Sequence, residues 1–323
     1  MMQFAIIGIG AGVAAALLFA SVTSGIWLSV PLFYLAPLPI MIAGLGWSHW
    51  AALIASLTGA LTLGAVFGVV FLFAFLAGAG IPAWWLGYLA MLARPVGANG
   101  QHETALEWYP PGRLVVWAAF LAALVVIAAI PNFGMDAESF RAGLRSALNT
   151  ILRAETGTPA DAPMNLAGKA DRLIEFLVSA IPLAAAVLAT ITNLFNFWLA
   201  ARVVKFSGRL ARPWPQLSSM NFPPLLTAAL ALAIILSFVD GLLGIVAGII
   251  SASLLLAYGV LGLAVLHAIT QGLQIRAVVL GLAYAAVFLI GWPILALCLL
   301  GLIDAAFDLR GRVARKRGPP ALL

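Results

Sequence analysis

Long apolar runs separated by short polar stretches dominate the pattern of this chain. An apolar run of about 17 or more residues can cross a bilayer, because about 20 helical residues span the hydrocarbon core. Nine runs reach or approach that length: 4–22, 27–46, 49–64, 66–92, 113–131, 173–204, 223–239, 242–272 and 277–303. The sequence therefore predicts an all-α fold, a polytopic transmembrane helix bundle.

Two of these assignments are internally ambiguous. No charge separates runs 49–64 and 66–92, so the point where one helix ends and the next begins is unmarked. Run 277–303 contains Gly291-Trp292-Pro293, a combination that kinks a helix or splits it into a hairpin. Further prolines and glycines predict broken helices at Pro31, Pro37, Pro39, Gly78, Gly80 and Pro82.

The longest polar stretch, residues 132–172, predicts one amphipathic extramembrane helix. Its apolar side chains share one face at helical spacing: Phe140, Leu144, Leu148, Ile151 and Leu152. Asp136 is placed to cap the N-terminus, and Gly157-Thr158-Pro159 ends the pattern before a linker over 157–164. We expect this helix to lie on the membrane surface or on the protein's own outer face.

Composition favours the membrane and argues against a soluble enzyme. Hydrophobic residues make up 64% of the 323 positions and charged residues 9%, and the mean hydropathy is +1.10. A soluble domain carries roughly 25% charged residues, because its surface faces water. No basic residue precedes the first apolar run, which we therefore interpret as a span and not as a cleaved signal peptide. The single cysteine, Cys298, excludes a disulfide framework.

The net charge of +6 predicts orientation in a membrane and not nucleic-acid binding. One loop carries four basic residues, Arg202, Lys205, Arg209 and Arg212, and the C-terminal tail is equally basic. The positive-inside rule places both in the cytoplasm. Three spans after residue 213 would put the tail outside, so either a late segment does not cross or the last one is a hairpin. We expect eight or ten crossings, with both termini cytoplasmic.

This order of elements divides the chain into four parts. They are an N-terminal transmembrane bundle (1–131), the extramembrane helix with its linker (132–172), a C-terminal transmembrane bundle (173–309) and a basic cytoplasmic tail (310–323). The lipid bilayer is the partner that such a chain requires.

Small residues recur at every fourth position in three of the predicted spans. The glycines that mark these stripes are Gly8, Gly12, Gly64, Gly68, Gly244 and Gly248. Helices with such stripes approach closely, since van der Waals contact holds helices together in lipid. The pattern fits two uses: packing within the chain, or docking against another membrane protein.

Polar side chains inside two spans are the candidate binding residues, since each is costly in lipid unless it has a partner or faces a cavity. Thr190, Asn193 and Asn196 share one face of the 173–204 helix. His267 and Gln271 form a second stripe near the end of the 242–272 helix. The asparagines can hydrogen-bond a neutral solute or a neighbouring helix, and His267 is either a ligand or a packing residue.

The sequence contains no catalytic constellation, metal-ligand cluster or ATP-binding motif. We therefore expect no enzyme activity, no cofactor and no metal. Asp304 and Asp308 are four residues apart on one helical face, directly before Arg310 and Arg312. We expect these four residues to form ion pairs and hydrogen bonds at the cytoplasmic end of the last span.

Three short segments resemble a known family. They are Leu35-Ala36-Pro37-Leu38-Pro39-Ile40, Gly262-Leu263-Ala264-Val265, and the ending from Leu299 to Arg310. They resemble the YybS-like family of bacterial membrane proteins, whose function is unknown. That family is similar to the substrate-binding (S) components of energy-coupling-factor vitamin transporters and to the cell-shape protein MreD. The resemblance implies a bacterial cytoplasmic (inner) membrane and assigns no binding residues. The insert at 132–172 and the larger number of spans depart from the six spans typical of S components.

Two functions are compatible with these features. The first is a transport component without its own ATPase, which binds a small neutral or weakly polar solute at the Asn193/Asn196 and His267/Gln271 stripes. The alternative is a non-transporting scaffold that organises cell-envelope proteins through its small-residue faces. The first predicts an internal cavity bordered by the asparagines. The second predicts solid packing there, with the small-residue faces turned outward.

Overall fold

The computed structural model of this chain describes residues 2–96, 105–156 and 169–317, and regular structure there is almost entirely helical. The helices are α1 (Met2–Ala20), α2 (Ser29–Tyr34), α3 (Pro37–Gly46), α4 (His49–Phe67), α5 (Val69–Phe75), α6 (Ile81–Ala90), α7 (Pro111–Ala129), α8 (Ala137–Thr156), α9 (Lys169–Phe206), α10 (Leu225–Leu236), α11 (Leu242–Ile269), α12 (Arg276–Ile290), α13 (Ile294–Phe307) and α14 (Leu309–Arg317). A π-helical turn, Leu76–Gly80, joins α5 to α6.

Seven stretches of the described chain are long and apolar enough to cross a membrane. They are residues 2–24, 29–46, 49–67, 69–90, 111–132, 172–206 and 242–269. The prediction of an all-α membrane helix bundle is thereby confirmed. The predicted spans 223–239 and 277–303 are shorter in the structure: the first contains the 12-residue α10, and the second divides into α12 and α13.

A short antiparallel hairpin lies in the polar stretch between α6 and α7. β1 (Ala93–Val96) pairs with β2 (Ala105–Trp108), and Arg94 forms an ion pair with Glu107 across it at 2.6 Å. The sequence does not predict these strands, because every residue of β1 is exposed and no alternation of apolar and polar positions marks it.

One side of the bundle gathers the helix ends beside the basic loop, and we call it the basic face. The Arg209 guanidinium lies 4.7 Å from the centroid of the Trp47 ring, just past α3. Arg212 donates hydrogen bonds to the carbonyl oxygens of Ala90, at the end of α6, and Tyr109, before α7. The ends of α3, α6 and α9 and the start of α7 therefore share this face.

The last two apolar helices, α12 and α13, start and end on the basic face. Arg276, the first residue of α12, lines a pocket together with Ser218. Arg310, which follows α13, donates a hydrogen bond to the Ser218 carbonyl oxygen at 2.9 Å. Because both ends of the pair lie beside the same residue, α12 and α13 form a hairpin that starts and ends on the basic face, which we call the re-entrant hairpin. Its turn includes Gly291, whose φ of +81° is accessible to glycine without strain.

The opposite face carries α8 and the turn between α10 and α11. Phe140 and Arg141 of α8 line a pocket with Pro182 of α9 and with residues 237–241. Phe140 and Leu144 are buried and pack in one core with Ile174 of α9. The amphipathic helix therefore lies on the protein's own outer face, which is one of its two predicted positions.

Asp136 caps α8 as its position in the sequence predicts. Its carboxylate accepts hydrogen bonds from the backbone N–H groups of Glu138 at 3.0 Å and Ser139 at 2.9 Å. The hydrogen bonds from Ser139 are the main cause that holds the pKa of Asp136 below its ordinary value. The predicted linker over 157–164 lies outside the described residues.

Charges are divided unevenly between the two faces. The basic face carries ten described lysines and arginines: Arg94, Arg113, Arg202, Lys205, Arg209, Arg212, Arg276, Arg310, Arg312 and Arg315. Its described acids are Glu107, Asp304 and Asp308. The opposite face is balanced among the described residues, with Arg141, Arg145, Arg153 and Arg172 against Asp136, Glu138, Glu175 and Asp240.

Glycines of the predicted stripes hold helices together within the chain. A Cβ on Gly8 would lie 2.8 Å from the Ala51 carbonyl oxygen, and a Cβ on Gly12 would lie 2.5 Å from that of Ala55. This face of α1 is therefore covered by α4, which runs parallel to it. Such close approach is possible only without a side chain.

The remaining stripe glycines differ in role. Gly64 lies against Leu72 of α5, Gly244 lies against the Val239 carbonyl, and Gly248 is in ordinary contact range of Leu183 on α9. The expectation that Gly68 packs against another helix is wrong. Gly68 follows the last residue of α4 with a φ of +94°, and open space surrounds the position of its absent Cβ.

Candidate functional site

The break between α2 and α3 leaves a backbone carbonyl without its usual helical donors. The Tyr34 carbonyl oxygen would accept from residue 37 or 38 in a continuous helix. Pro37 has no N–H, and the Leu38 N–H donates to the Leu35 carbonyl at 3.0 Å. The freed Tyr34 carbonyl accepts a hydrogen bond from Nδ2 of Asn196 on α9 at 2.8 Å.

A second irregularity faces the first across the bundle. Pro82 lacks the N–H that would pair with the carbonyl of Gly78, and the chain widens there into the π-helical turn. Ser56 of α4 donates a hydrogen bond to the Gly80 carbonyl oxygen at 3.0 Å. The predicted broken helices are thus present at both places. At each break a side chain of a neighbouring helix donates a hydrogen bond to a backbone carbonyl, that of Tyr34 in the first and that of Gly80 in the second.

A cavity of about 320 Å³ lies between these two breaks. Its walls come from α1, α2, α3, α5, the π-helical turn, α7 and α9: Phe19, Phe33, Tyr34, Pro37, Ala74, Gly78, Ala79, Ala122, Val125, Ala185, Leu188, Ala189, Thr192 and Asn193. No charged residue is among them. Small-molecule sites are typically of this kind, mostly apolar with few polar groups.

Asn193 supplies an amide group to the cavity wall. Its Nδ2 donates to the Ala118 carbonyl oxygen of α7 at 3.3 Å. Its Oδ1 accepts no hydrogen bond from the described residues, and the residue is 3% exposed. One N–H of the amide is therefore held by the protein, while its second N–H and its Oδ1 have no partner among the described residues. By helical rise, Asn193 lies about 20 Å from the basic-face end of α9.

Asn196 lies one turn further along α9 and is more tightly enclosed. Both protons of its Nδ2 have acceptors, the carbonyl oxygens of Tyr34 and Thr192, each at 2.8 Å. Its Oδ1 is buried without a hydrogen-bond partner. Asn196 thus acts as a link between helices, one of the two predicted uses of the asparagine stripe.

The other predicted binding residues do not line this cavity. Thr190 is fully buried and donates to the Ala186 carbonyl of its own helix at 2.8 Å. His267 and Gln271 line a separate pocket at the basic face, where Nδ1 of His267 lies 2.9 Å from the Leu263 carbonyl oxygen. The two predicted polar stripes therefore belong to different places in the bundle.

Asp304 and Arg310 are joined in a buried cluster at the end of α13. The guanidinium contacts Oδ2 of Asp304 at 2.9 Å through Nε and 2.7 Å through Nη2, and its remaining N–H groups donate to Ser218, Met220 and Asn221. Residues 213–224 are mostly non-helical and contain four prolines. Arg310 thus satisfies backbone carbonyls of an unwound segment that covers the end of α13 on the basic face.

Asp308 and Arg312 take part in the turn from α13 to α14. Asp308 adopts a left-handed conformation with a φ of 50°, and its Oδ1 accepts from the Gly311 N–H at 3.1 Å. The Arg312 N–H donates to the Asp308 carbonyl oxygen. Arg315 lies 3.6 Å from the Asp308 carboxylate in an exposed ion pair.

Two features of this region escape the sequence analysis. The Arg212 guanidinium donates hydrogen bonds to carbonyls at the end of α6 and just before the start of α7, and burial lowers the pKa of Arg212 below its ordinary value. The Tyr34 carbonyl binds Asn196, which is 162 positions away in the chain. The proline pair at Pro37 and Pro39 signals a break, but only the folded packing shows which side chain compensates for it.

Comparison with known protein families decides the broader assignment. The family described as "predicted membrane protein (DUF2232)" matches residues 12–305, most of the chain. The chain belongs to this family. The DUF2232 match takes in the whole cavity and Asp304 and ends before Arg310. It shows a predicted membrane protein of unknown function, and it carries no evidence for the resemblance to YybS-like proteins, S components or MreD. No curated protein and no solved structure matches the chain.

Proposed function

We propose that the protein binds a small neutral solute in the cavity at Asn193, as the binding part of a membrane transport system. The observation that carries this proposal is the free Oδ1 of Asn193 in a 320 Å³ cavity with mostly apolar walls. Few groups in such a cavity compete for this acceptor, so a solute that donates a hydrogen bond to it gains affinity.

The chemistry of the walls limits the class of solute. A charged molecule would lose its hydration without meeting an opposite charge, because no lining residue is charged. One of the two N–H groups of the Asn193 amide is already bonded to Ala118, which leaves Oδ1 as the larger part of its free hydrogen-bonding capacity. A compact, mostly apolar molecule with a hydroxyl or N–H donor is therefore the solute class that fits.

We further propose that the basic face is cytoplasmic in a bacterial inner membrane and that both termini lie there. The excess of lysine and arginine on this face supports that orientation. Since the sequence has no ATP-binding motif, solute movement would require a gradient or a partner protein. No catalytic role is proposed.

The scaffold alternative has less support. It relies on small-residue faces that are open to a partner, whereas Gly8 and Gly12 are covered by α4 and Gly64 lies against Leu72. A scaffold that uses other surfaces is compatible with the fold, but no contact in the described chain favours one.

The proposal is tested by identifying small molecules that copurify with the protein in mild detergent. Mass spectrometry of the extracted protein should find a neutral metabolite at a fixed ratio to the wild-type chain. Two variants should lose it: Asn193→Leu, which removes the acceptor, and Gly78→Leu, which fills the cavity. Open space surrounds the Cβ position of Gly78, so its new side chain meets no backbone.

Gly10→Leu is the matched control. Gly10 is also helical with open space around its Cβ position, but it lies on the exposed face of α1, away from the cavity. It should retain the metabolite. A metabolite retained equally by Gly78→Leu and Gly10→Leu, or no metabolite in the wild type, would contradict solute binding at this cavity.

A further inference from the structure

A second pocket, of about 370 Å³, lies on the basic face between the end of α11 and the start of α12. Its lining residues are Trp214, Pro215, Gln216, Leu217, Ser218, His267, Gln271 and Arg276. None of them lines the Asn193 cavity, so this pocket is independent of the proposed solute site.

Arg276 brings an uncompensated positive charge to this pocket. Its Nε is shielded from solvent and has no hydrogen-bond partner among the described residues. No ion pair joins the guanidinium to a described carboxylate. An unpaired buried donor on a charged group is costly, and an anionic oxygen is the acceptor that best offsets this cost.

Neighbouring cations strengthen the positive potential. The Arg202 guanidinium lies 4.6 Å and the Lys205 ammonium 4.9 Å from the centroid of the Trp214 ring, which forms one wall of the pocket. Neither has a described carboxylate partner, because the acids of this face are bound elsewhere. Glu107 pairs with Arg94, Asp304 with Arg310, and Asp308 with Arg315.

The helix that leads away from Arg276 is apolar and uncovered. α12 has no buried residue, and its exposed side chains include Val278, Leu282, Phe288 and Leu289. Its ring contact with α11 is Tyr284 against His267, at a centroid distance of 5.8 Å. An anion bound at Arg276 would therefore adjoin a strip of apolar surface that descends into the bilayer.

We propose that this pocket binds the phosphate group of an anionic phospholipid, whose acyl chains lie along α12. Arg276 binds the phosphate, Arg202 and Lys205 supply the surrounding positive potential, and Trp214 lies between these cations and the pocket. Basic pockets between helices at the cytoplasmic side of membranes recognise lipid headgroups by this chemistry. The lipid would fix the otherwise weakly packed α12 against α11.

Native mass spectrometry of the full-length protein in detergent measures this binding directly. Phosphatidylglycerol is titrated against phosphatidylcholine with the same acyl chains. The wild type should bind phosphatidylglycerol more tightly, and Arg276→Gln should weaken that binding about tenfold, the loss of one charge-assisted contact. Arg276→Lys should keep the preference for phosphatidylglycerol. Arg94→Gln, which removes a cation from the same face away from the pocket, should change nothing.

Inorganic phosphate tests whether the pocket binds the phosphate group of a lipid or a free phosphate ion. At matched ionic strength, phosphate should displace phosphatidylglycerol no better than chloride does. Preferential displacement by phosphate would mean that the pocket takes a free anion, and would overturn the lipid assignment. Equal binding of the two lipids, or undiminished binding by Arg276→Gln, would also overturn it. If Arg276→Gln aggregates on size exclusion, the Arg276→Lys and phosphate results decide the question.

Discussion

All three nitrogens of the Arg310 guanidinium have acceptors inside the protein. They bind the Asp304 carboxylate twice, the carbonyl oxygens of Ser218 and Met220, and Oδ1 of Asn221. The Asp304 side chain is 3% exposed and that of Arg310 is 14% exposed. Arg310 stabilises the protein because several acceptors in this cluster have its guanidinium as their hydrogen-bond donor.

Replacement of Arg310 should therefore destabilise the protein strongly. Arg310→Ala removes the cation from the buried Asp304 carboxylate, which keeps only the backbone N–H of residue 310, and removes the donor to the Ser218 and Met220 carbonyls, at a cost of about 3–5 kcal/mol. Thermal unfolding in detergent should show a markedly lower midpoint. Arg312→Ala, which removes an exposed cation two residues away, should shift stability by no more than about 0.5 kcal/mol. Similar midpoints for the two variants would contradict the structural role of the cluster.

Single residues also show how much of the candidate site can be predicted from the sequence. The spacing of Asn193 and Asn196 predicts that they share one face of their helix. In the structure they lie one turn apart on α9, and each donates a hydrogen bond to a carbonyl of a neighbouring helix. The spacing does not predict that the two asparagines have different roles. Asn196 links helices because Tyr34 lies opposite it, whereas Asn193 keeps a free acceptor because the small Ala122 and Gly78 leave space.

At the scale of helices, α11 and α13 make the closest contact in the C-terminal part of the chain. Gly262 and Gly301 interlock with the backbone of the facing helix. A Cβ on Gly262 would lie 1.9 Å from the Leu297 carbonyl oxygen, closer than any real contact. The short helix α13 is thus held against α11 by close contact between the two backbones, which compensates for the small number of residues in α13.

Gly262→Ala should force these helices apart. We expect a destabilisation of about 1–3 kcal/mol, because the rigid backbone on both sides cannot move locally. Gly248→Ala is the control on the same helix, since its Cβ would lie 3.6 Å from a Leu183 methyl carbon, an ordinary contact. Thermal unfolding of the two variants separates the effects. A Gly262→Ala protein as stable as the control would show that the α11–α13 contact is looser than described.

The length of an apolar run predicts that a helix forms there. It does not predict whether that helix continues across the bundle or turns back. The runs from 4 to 131 and the run at 242–272 become stretches long enough to cross a membrane, although two of the earlier runs are broken into pairs of shorter helices. The run at 277–303 has the same composition, yet Gly291 and Pro293 turn it back. Whether a glycine packs or turns depends on its backbone conformation, as Gly68 shows.

At the scale of the whole molecule, charge and topology agree. Every described contact near the basic loop joins helix ends on one face, and that face has ten described cations against three acids. The re-entrant hairpin removes the conflict in the predicted topology, since α12 begins and α13 ends on the same face of the bundle. The proposed solute cavity and the proposed lipid pocket both depend on this assignment of faces.

Cysteine accessibility in intact cells tests that assignment most directly. The buried Cys298 is first changed to alanine, and single cysteines are then placed at Leu273 before α12, at Arg315 after α13 and at Asp240 on the opposite face. A membrane-impermeant thiol reagent should label position 240 from outside, and positions 273 and 315 only after permeabilisation. Labelling of 273 and 315 from opposite sides of the membrane would contradict the re-entrant hairpin and the two-faced bundle built on it.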